Sequence, residues 1–100
     1  MKQYTLADLL PTVLAGNVVE RGGITRYESG TRSHPEGHHI HEHHEVFVIV
    51  QGSGHIEIDG ARTPLRAGDV FLVEPGEDHH VISEGELPLQ SAWMHVRSAT

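Results

Sequence analysis

Turn-forming residues recur at short, regular intervals along most of this chain, and this spacing limits the possible folds more than any other feature. From Val18 onward, short apolar segments are separated by turns that contain glycine. The turn markers are Gly22-Gly23, Gly52-Ser53-Gly54, Asp59-Gly60, Ala67-Gly68, Pro75-Gly76 and Glu84-Gly85. Turns spaced roughly every 8 to 12 residues, with no helical segment between them, are typical of antiparallel sandwiches and closed barrels. The sequence therefore predicts an all-β fold.

The segments between the turns predict eight strands. These strands are predicted near residues 17–21, 23–29, 45–51, 54–59, 61–66, 69–73, 79–83 and 89–96. Asp59-Gly60 indicates a hairpin turn of type I′. Ahead of the strands, Thr5 and Asp8 resemble a capping box, and apolar residues repeat there at helical spacing. This pattern predicts a short N-terminal helix, which Pro11 limits in length.

The overall composition narrows the classes of function. The formal net charge is -7 and the seven Lys and Arg residues are scattered, so the sequence lacks the basic surface that nucleic-acid binding requires. The chain has no cysteine, so a bound metal must sit on nitrogen and oxygen. No apolar run reaches the roughly 18 residues that span a membrane, and Asp8 and Pro11 interrupt the hydrophobic stretch that an export signal would need. We therefore expect one cytoplasmic domain over residues 1–100, with no nucleic-acid or membrane partner.

Histidine is strongly clustered in this sequence. Six of the ten histidines fall within residues 34–44. In an extended strand, residues two apart face the same side with Cα atoms about 6.5 to 7 Å apart, so His39 and His41 can converge on one ion. Glu45 shares their parity and begins the segment EVFVIVQ, which is apolar on both faces. A carboxylate buried there needs a cation or strong hydrogen bonds, because desolvation otherwise favours its neutral form.

A fourth ligand is predicted from a segment that is distant in sequence. The strand near 69–73 turns at Pro75-Gly76 and delivers His79 to the start of the next strand. Three neutral imidazoles and one carboxylate suit a divalent ion of Mn, Fe, Co, Ni, Cu or Zn, and an octahedral ion keeps two positions open for a ligand. We predict one divalent transition metal ion per chain, bound by His39, His41, Glu45 and His79.

At these residues the sequence resembles the cupin family. The first cupin motif combines His-x-His, a glutamate and a glycine, and residues 39–52 match it, with Ser33 in the place of the leading glycine. The second motif is matched over residues 68–83, with its proline displaced by one residue and with Ser83 in the place of an asparagine. The matching residues of the two motifs are His39, His41, Glu45, Gly52, Gly68, Gly76 and His79. The strand pattern is also similar to the sugar-sensing domains of arabinose-type regulators, whose helix-turn-helix domain has no counterpart here.

The resemblance implies a fold and a set of activities. Cupins are double-stranded β-helices, or jelly-roll barrels, of about six to eight strands, with the metal between the two sheets. Cupin enzymes include dioxygenases, isomerases, epimerases and lyases, so the resemblance implies a small metalloenzyme that acts on an oxygen-rich substrate. A metal-sensing or small-molecule-binding module without turnover is the alternative. A purely structural role is the third possibility.

The remaining histidines have several interpretations. His43 shares the parity of the predicted ligands, and His95 lies beside Trp93 in the last strand, so we predict both as candidate proton-transfer residues. A solvated loop position for His43 and an outward orientation for His95 stay open as alternatives. We expect surface or rim positions for His34, His38, His44 and His80, and we assign no role to His55. Four aromatic residues are predicted in the core: Tyr27, Phe47, Phe71 and Trp93.

The parity of the third predicted strand has a consequence for assembly. If Glu45, Phe47 and Ile49 face the cavity, the alternate residues point outward and form an apolar outer face. These residues are Val46, Val48 and Val50, together with Ile82. Such a face needs a cover. The N-terminal helix and strand are one possible cover, and a second subunit is the other. Because small cupins dimerise through sheet faces or swapped strands, we predict a homodimer.

Overall fold

The computed structural model of the protein describes residues 1–33 and 42–100, which fold into two antiparallel sheets. The strands, β1 to β8, are Lys2–Thr5, Asn17–Tyr27, His44–Gln51, Ser53–Ile58, Ala61–Arg66, Asp69–Val73, His79–Ser83 and Leu89–Ser98. Between β1 and β2 lie a 3-10 turn, Leu6–Asp8, and one π-helical turn, Leu9–Val13. One sheet has five strands in the order β1-β6-β3-β8-β2, and the other has three in the order β5-β4-β7.

The predicted all-β fold with a short N-terminal helix is confirmed. Thr5 and Asp8 form the predicted capping box, in which the Asp8 carboxylate accepts a hydrogen bond from the backbone N–H of Thr5. The carboxylate also accepts a hydrogen bond from the Thr5 hydroxyl. Asp59 and Gly60 both have positive φ angles, +48° and +86°, as a type I′ turn requires. Within the described residues, no helix has the length and apolar character that a membrane crossing needs.

The main core lies between the two sheets. It is built from side chains at alternate strand positions, which share one face of each sheet. Phe47 and Ile49 have the predicted inward parity and are buried. They pack with Ile56, Leu65, Phe71, Val73, Val81 and Leu89. Tyr27 and Trp93, which were predicted as core, are only partly buried, because they border a cavity at one end of the barrel.

A second apolar cluster covers the outer face of the five-stranded sheet. Val46 and Val48 point outward as predicted and are buried beneath Val13 of the N-terminal segment, with Leu9 and Leu14 beside it. The N-terminal segment therefore covers Val46 and Val48, whereas Val50 stays 51% exposed. The covered part of this face gives no support to the predicted homodimer, which stays a prediction.

Two sequence predictions about the strands are wrong. Gly22-Gly23 is not a turn, because β2 continues through both glycines and pairs with β8 along its length. Strand β1 was missed, although it pairs with β6 from Lys2 to Thr5. The glycines of β2 have a packing role instead, since a Cβ at Gly22 would lie 2.5 Å from the carbonyl oxygen of Trp93.

Candidate functional site

A cavity of about 580 Å³ lies between the two sheets. Strands β2, β3 and β8 supply one wall, and β7 supplies the facing wall through His79 and Val81. Phe47, Trp93 and Val81 form apolar parts of the lining, whereas histidine, carboxylate and arginine side chains form its polar part. A largely apolar pocket with a few converging polar groups is the usual form of a small-molecule site.

Glu45 and His79 meet in this cavity from opposite sheets. The Glu45 side chain begins β3 and the His79 side chain begins β7, and Oε1 of Glu45 lies 3.1 Å from Nε2 of His79. Both residues are deeply buried, at 5% and 2% exposure. The sequence prediction that these two distant segments converge agrees with this geometry. Their role as metal ligands stays a prediction.

The hydrogen bonds of His79 determine which of its two ring nitrogens carries the proton. Nδ1 lies 3.1 Å from the carbonyl oxygen of Glu77, which only accepts hydrogen bonds, so Nδ1 carries the proton there. In a neutral imidazole, Nε2 then presents a lone pair to the Glu45 carboxylate. Two acceptors that face each other at 3.1 Å need a proton or a cation between them. In metal-binding histidines, the ring nitrogen that does not bind the metal usually donates a hydrogen bond, often to a backbone carbonyl, as Nδ1 of His79 does here.

The protonation of His79 reflects this environment. Burial lowers the pKa of His79, but the hydrogen bond to Glu45, the carbonyl of Glu77 and the charges of Glu45 and Asp78 act in the opposite direction. Their sum raises the pKa above its ordinary value. A positive charge beside the Glu45 carboxylate is therefore favourable in this cavity.

His95 and His43 also line the cavity. The inward orientation of His95 is the one that the structure adopts, and its Nε2 lies 3.6 Å from Oε1 of Glu45. The rings of His43 and His95 are stacked, with centroids 5.6 Å apart. The Trp93 ring packs on the imidazole of His95, with the two ring centroids 5.4 Å apart. His95 therefore lies beside Glu45, whereas His43 is exposed and borders the cavity next to the His95 ring.

The chemistry of the donors fits a divalent transition metal. Two ligands held about 2.1 Å from one ion lie about 3.0 Å apart at an octahedral angle, and the Glu45 and His79 donors are 3.1 Å apart. Within residues 1–33 and 42–100, no group of three or more His, Cys, Asp or Glu side chains is arranged to hold an ion. A four-donor site therefore depends on His39 and His41, which lie outside the described residues.

Tyr27 contributes a phenol to the same cavity. Burial raises the pKa of Tyr27 above its usual value, a hydrogen bond with Thr25 acts against this shift, and the charge of Glu45 adds to it. The phenol is consequently a neutral hydrogen-bond donor at neutral pH. Both Tyr27 and Thr25 lie on the cavity face of β2, a strand to which the sequence assigned no part of the site.

The predicted surface positions of the other histidines agree with the structure for His44 but not for His80. The surface prediction for His80 is wrong, because this side chain is 1% exposed and bonds to Asp78 and to the carbonyl of Ser33. The chain up to Ser33 covers this part of β7, since the Ser33 N–H donates to the carbonyl of Val81. His44 is exposed as expected, and His55 contacts Glu84. His34 and His38 lie outside the described residues.

Arg21 is a cavity residue that the sequence analysis did not predict. Arg21 lines the cavity and its guanidinium lies over the Trp93 ring, 5.7 Å from the ring centroid. A β-bulge between Val19 and Arg21 sets its direction. A bulge depends on the pairing between two strands, so the sequence of β2 alone carries no reliable sign of it.

Comparison with known proteins agrees with this architecture. A family model described as a cupin domain matches residues 23–95, which is most of the chain. The chain belongs to the cupin family. A cupin protein from Bacteroides fragilis has the same fold, with a TM-score of 0.71 and 24% identity, and the match covers 99% of this chain and 79% of that one. A cupin 2 conserved barrel domain protein from Salinispora arenicola gives a TM-score of 0.67 at 28% identity, over 98% and 76% of the two chains.

Two curated relatives of this cupin have names that refer to ligands or pathways. An oxalate-binding protein from Thermotoga maritima is 34% identical over 55 residues, which is 54% of this chain and 46% of the relative. This cupin therefore spans less than half the length of that relative. A pectin degradation protein, KdgF, from Dickeya dadantii is 26% identical over 93 residues, with 83% of each chain covered.

Proposed function

We propose that this cupin binds one divalent transition metal ion through His39, His41, Glu45 and His79, and that it uses the ion in a reaction on a small, oxygen-rich substrate. The observation that carries this proposal is the buried contact between Glu45 and His79, which brings two acceptors together in a small-molecule cavity. The reaction is of the dioxygenase, isomerase or lyase type. The oxalate-binding and pectin degradation relatives support a small oxygen-rich substrate by their names.

The residues of the cavity have separate roles in this proposal. A bound divalent ion would supply Lewis-acid polarisation of a substrate oxygen. His95 and His43 accept and return the proton that the reaction moves, because both rings line the cavity, His95 beside Glu45 and His43 stacked on His95. The neutral phenol of Tyr27 donates a hydrogen bond to a substrate oxygen, and Phe47 and Trp93 limit the access of water.

The test of the metal proposal is the metal content of the protein and of one histidine variant. Elemental analysis of protein purified without added metal is expected to give about one divalent ion per chain. His41→Ala is expected to lose most of this metal while it keeps the β-sheet circular dichroism spectrum of the wild type. His55→Ala is the matched control, because His55 lies on the outer side of β4 against Glu84 and should leave the metal content unchanged. Unchanged metal in His41→Ala would remove this residue from the ligand set.

A non-catalytic binding module is the second candidate. The relative named for oxalate binding favours it, because that name describes binding without a reaction. Screening of the metal-loaded protein against small hydroxy and keto compounds separates the two candidates. Turnover that His95→Gln abolishes, with metal content unchanged, would support the enzyme; saturable binding without turnover would support the module.

We further propose a homodimer that uses strand β2. Among residues 1–33 and 42–100, this strand lies at the edge of the five-stranded sheet, and its Val19 and Ile24 are 46% and 68% exposed. An open edge strand with exposed apolar residues is a ready site for pairing with a second chain. Sedimentation velocity at micromolar concentration is expected to give a dimer, and Ile24→Asp is expected to shift it towards monomer. Leu10→Asp, at an equally exposed position away from β2, is the control.

A further inference from the structure

Arg21 differs from most arginines of this protein in its charge environment. Four of the six arginines form ion pairs with carboxylates: Arg26, Arg32, Arg62 and Arg97. Arg21 has no carboxylate within ion-pair distance among residues 1–33 and 42–100, although the chain carries 14 acidic residues. Its neighbour Glu20 is engaged instead by Arg97, at 2.6 Å. A cation on the wall of a cavity, with no carboxylate partner in the described part of the chain, is available to an anionic ligand.

The fold aims Arg21 at the cavity through a β-bulge. Strand β2 pairs Val19 with Val96 and then Arg21 with His95, so Glu20 is the extra residue. Side chains of directly opposed residues lie on the same face of a sheet, and His95 faces the cavity. Without the bulge, Arg21 would oppose Met94, which packs in the outer cluster. Re-aiming of a side chain next to a binding site is a frequent use of bulges.

The bulge also completes a polar row across three strands. Glu45 opposes His95 in the β3–β8 pairing, and His95 opposes Arg21 in the β8–β2 pairing. Neighbouring strands are about 4.8 Å apart, so the row spans roughly 10 Å of backbone from the proposed metal end to the guanidinium. A small molecule that contacts both ends therefore needs one polar group for the guanidinium and a second for the proposed metal site.

The position of the guanidinium is held by an aromatic platform. Arg21 lies over the Trp93 ring, and this ring packs over Gly23 of the same strand. A Cβ at Gly23 would come within 3.3 to 3.4 Å of three atoms of the indole, so glycine leaves the room that the ring needs. Stacking on an aromatic face restrains an arginine and leaves its N–H donors directed towards a ligand.

We propose that Arg21 is the anion-binding residue of the cavity and that the ligand of this cupin is a small carboxylate, held by its carboxylate group at Arg21. The inference rests on the proposed function for the other end of the ligand, where oxygens of the same molecule meet the metal site at Glu45 and His79. A planar guanidinium matches a carboxylate with two parallel hydrogen bonds. One guanidinium balances one carboxylate charge, and a second carboxylate of the same molecule would lie at the proposed metal site. A phosphate dianion would instead place both charges at Arg21, in a cavity that also contains Glu20 and Glu45.

Trp93 provides the measurement, because it is the single tryptophan of the chain and it touches Arg21. Metal-loaded protein would be titrated at pH 7 with malonate, succinate and glutarate, and intrinsic fluorescence would be recorded. Malonamide, succinamide and inorganic phosphate would serve as uncharged and phosphate comparisons. We expect saturable binding of at least one dicarboxylate, no comparable binding of its diamide, and weaker binding of phosphate.

Two substitutions at Arg21 test the assignment. Arg21→Gln is expected to weaken dicarboxylate binding about 10- to 100-fold, because it removes a charge-assisted pair of hydrogen bonds. Arg21→Lys, which keeps the charge and loses the planar donor pair, is expected to bind with intermediate affinity. Arg66→Gln is the matched control, since Arg66 also has no carboxylate in ion-pair distance within the described residues and lies outside the cavity. Its binding should stay within about twofold of wild type.

Metal content measured on the same samples separates this inference from the proposed function. If dicarboxylate binding depends on Arg21 in protein that takes up no metal, the metal proposal fails and the role of Arg21 stands. If the protein holds its metal and Arg21→Gln binds dicarboxylates as wild type does, the role of Arg21 is overturned. Absence of dicarboxylate binding in the wild type, or tighter binding of phosphate, would overturn the carboxylate assignment.

Discussion

Gly54→Ala is expected to unfold the protein or to lower its melting temperature by more than about 12 °C, because the new Cβ would overlap backbone. Gly54 is buried in β4, and its Cβ would lie 1.8 Å from the carbonyl oxygen of Ile82 and 3.0 Å from the carbonyl carbon. Strand β4 cannot move away, since it is hydrogen-bonded to β5 on one side and β7 on the other. A loss of at least about 3 kcal/mol is a large part of the stability of a small domain.

Thermal unfolding followed by circular dichroism measures this effect, and Gly85→Ala is its matched control. A Cβ at Gly85 would also be crowded, with Oγ of Ser53 at 2.5 Å, but a serine hydroxyl can rotate away. We expect the control to lose less than about 1 kcal/mol. A wild-type melting temperature for Gly54→Ala would contradict the pairing of β4 with β7.

The strands were largely predictable because their turns are chemically specific. Gly52, Gly60, Gly68 and Gly76 all have positive φ angles, so each predicted turn at these positions required glycine for its backbone conformation. Gly22-Gly23 was wrongly predicted as a turn because glycine also serves where another chain segment approaches closely. The approach of Trp93 to these two residues is a tertiary contact, which the local sequence does not encode.

Site residues whose position follows from strand parity or from a neighbouring turn were predictable. Those whose position depends on the pairing of distant segments were not. The parity of Glu45 and the turn before His79 indicated two groups that the fold brings within 3.1 Å of each other. Arg21 was not predicted, because its direction depends on a bulge that shifts the register of β2 against β8. The burial of His80 likewise depends on the chain around Ser33, which covers β7 from a distant part of the sequence.

Glu45→Gln is expected to lower the affinity for the proposed divalent ion by at least about 100-fold, since it removes the negative charge among the predicted ligands. The substitution keeps the shape of the side chain, and an amide at this position can still hydrogen-bond with Nε2 of His79, so the fold should persist. Competition with a chromogenic chelator measures the affinity, and elemental analysis measures the metal that remains. Any turnover found by substrate screening should be lost together with the metal.

Glu57→Gln provides the comparison for Glu45→Gln, because it makes the same chemical change on the outside of the barrel. Glu57 accepts hydrogen bonds from Arg32 and Arg62, and none of these three residues lines the cavity. Metal affinity should therefore be unchanged in Glu57→Gln and also in Arg21→Gln, which affects the opposite end of the polar row. Equal loss of metal in Glu45→Gln and Glu57→Gln, with no loss in the more negative Arg21→Gln, would mean that uptake follows the net charge of the protein. Loss confined to Glu45→Gln would identify the buried carboxylate as the group that holds the ion.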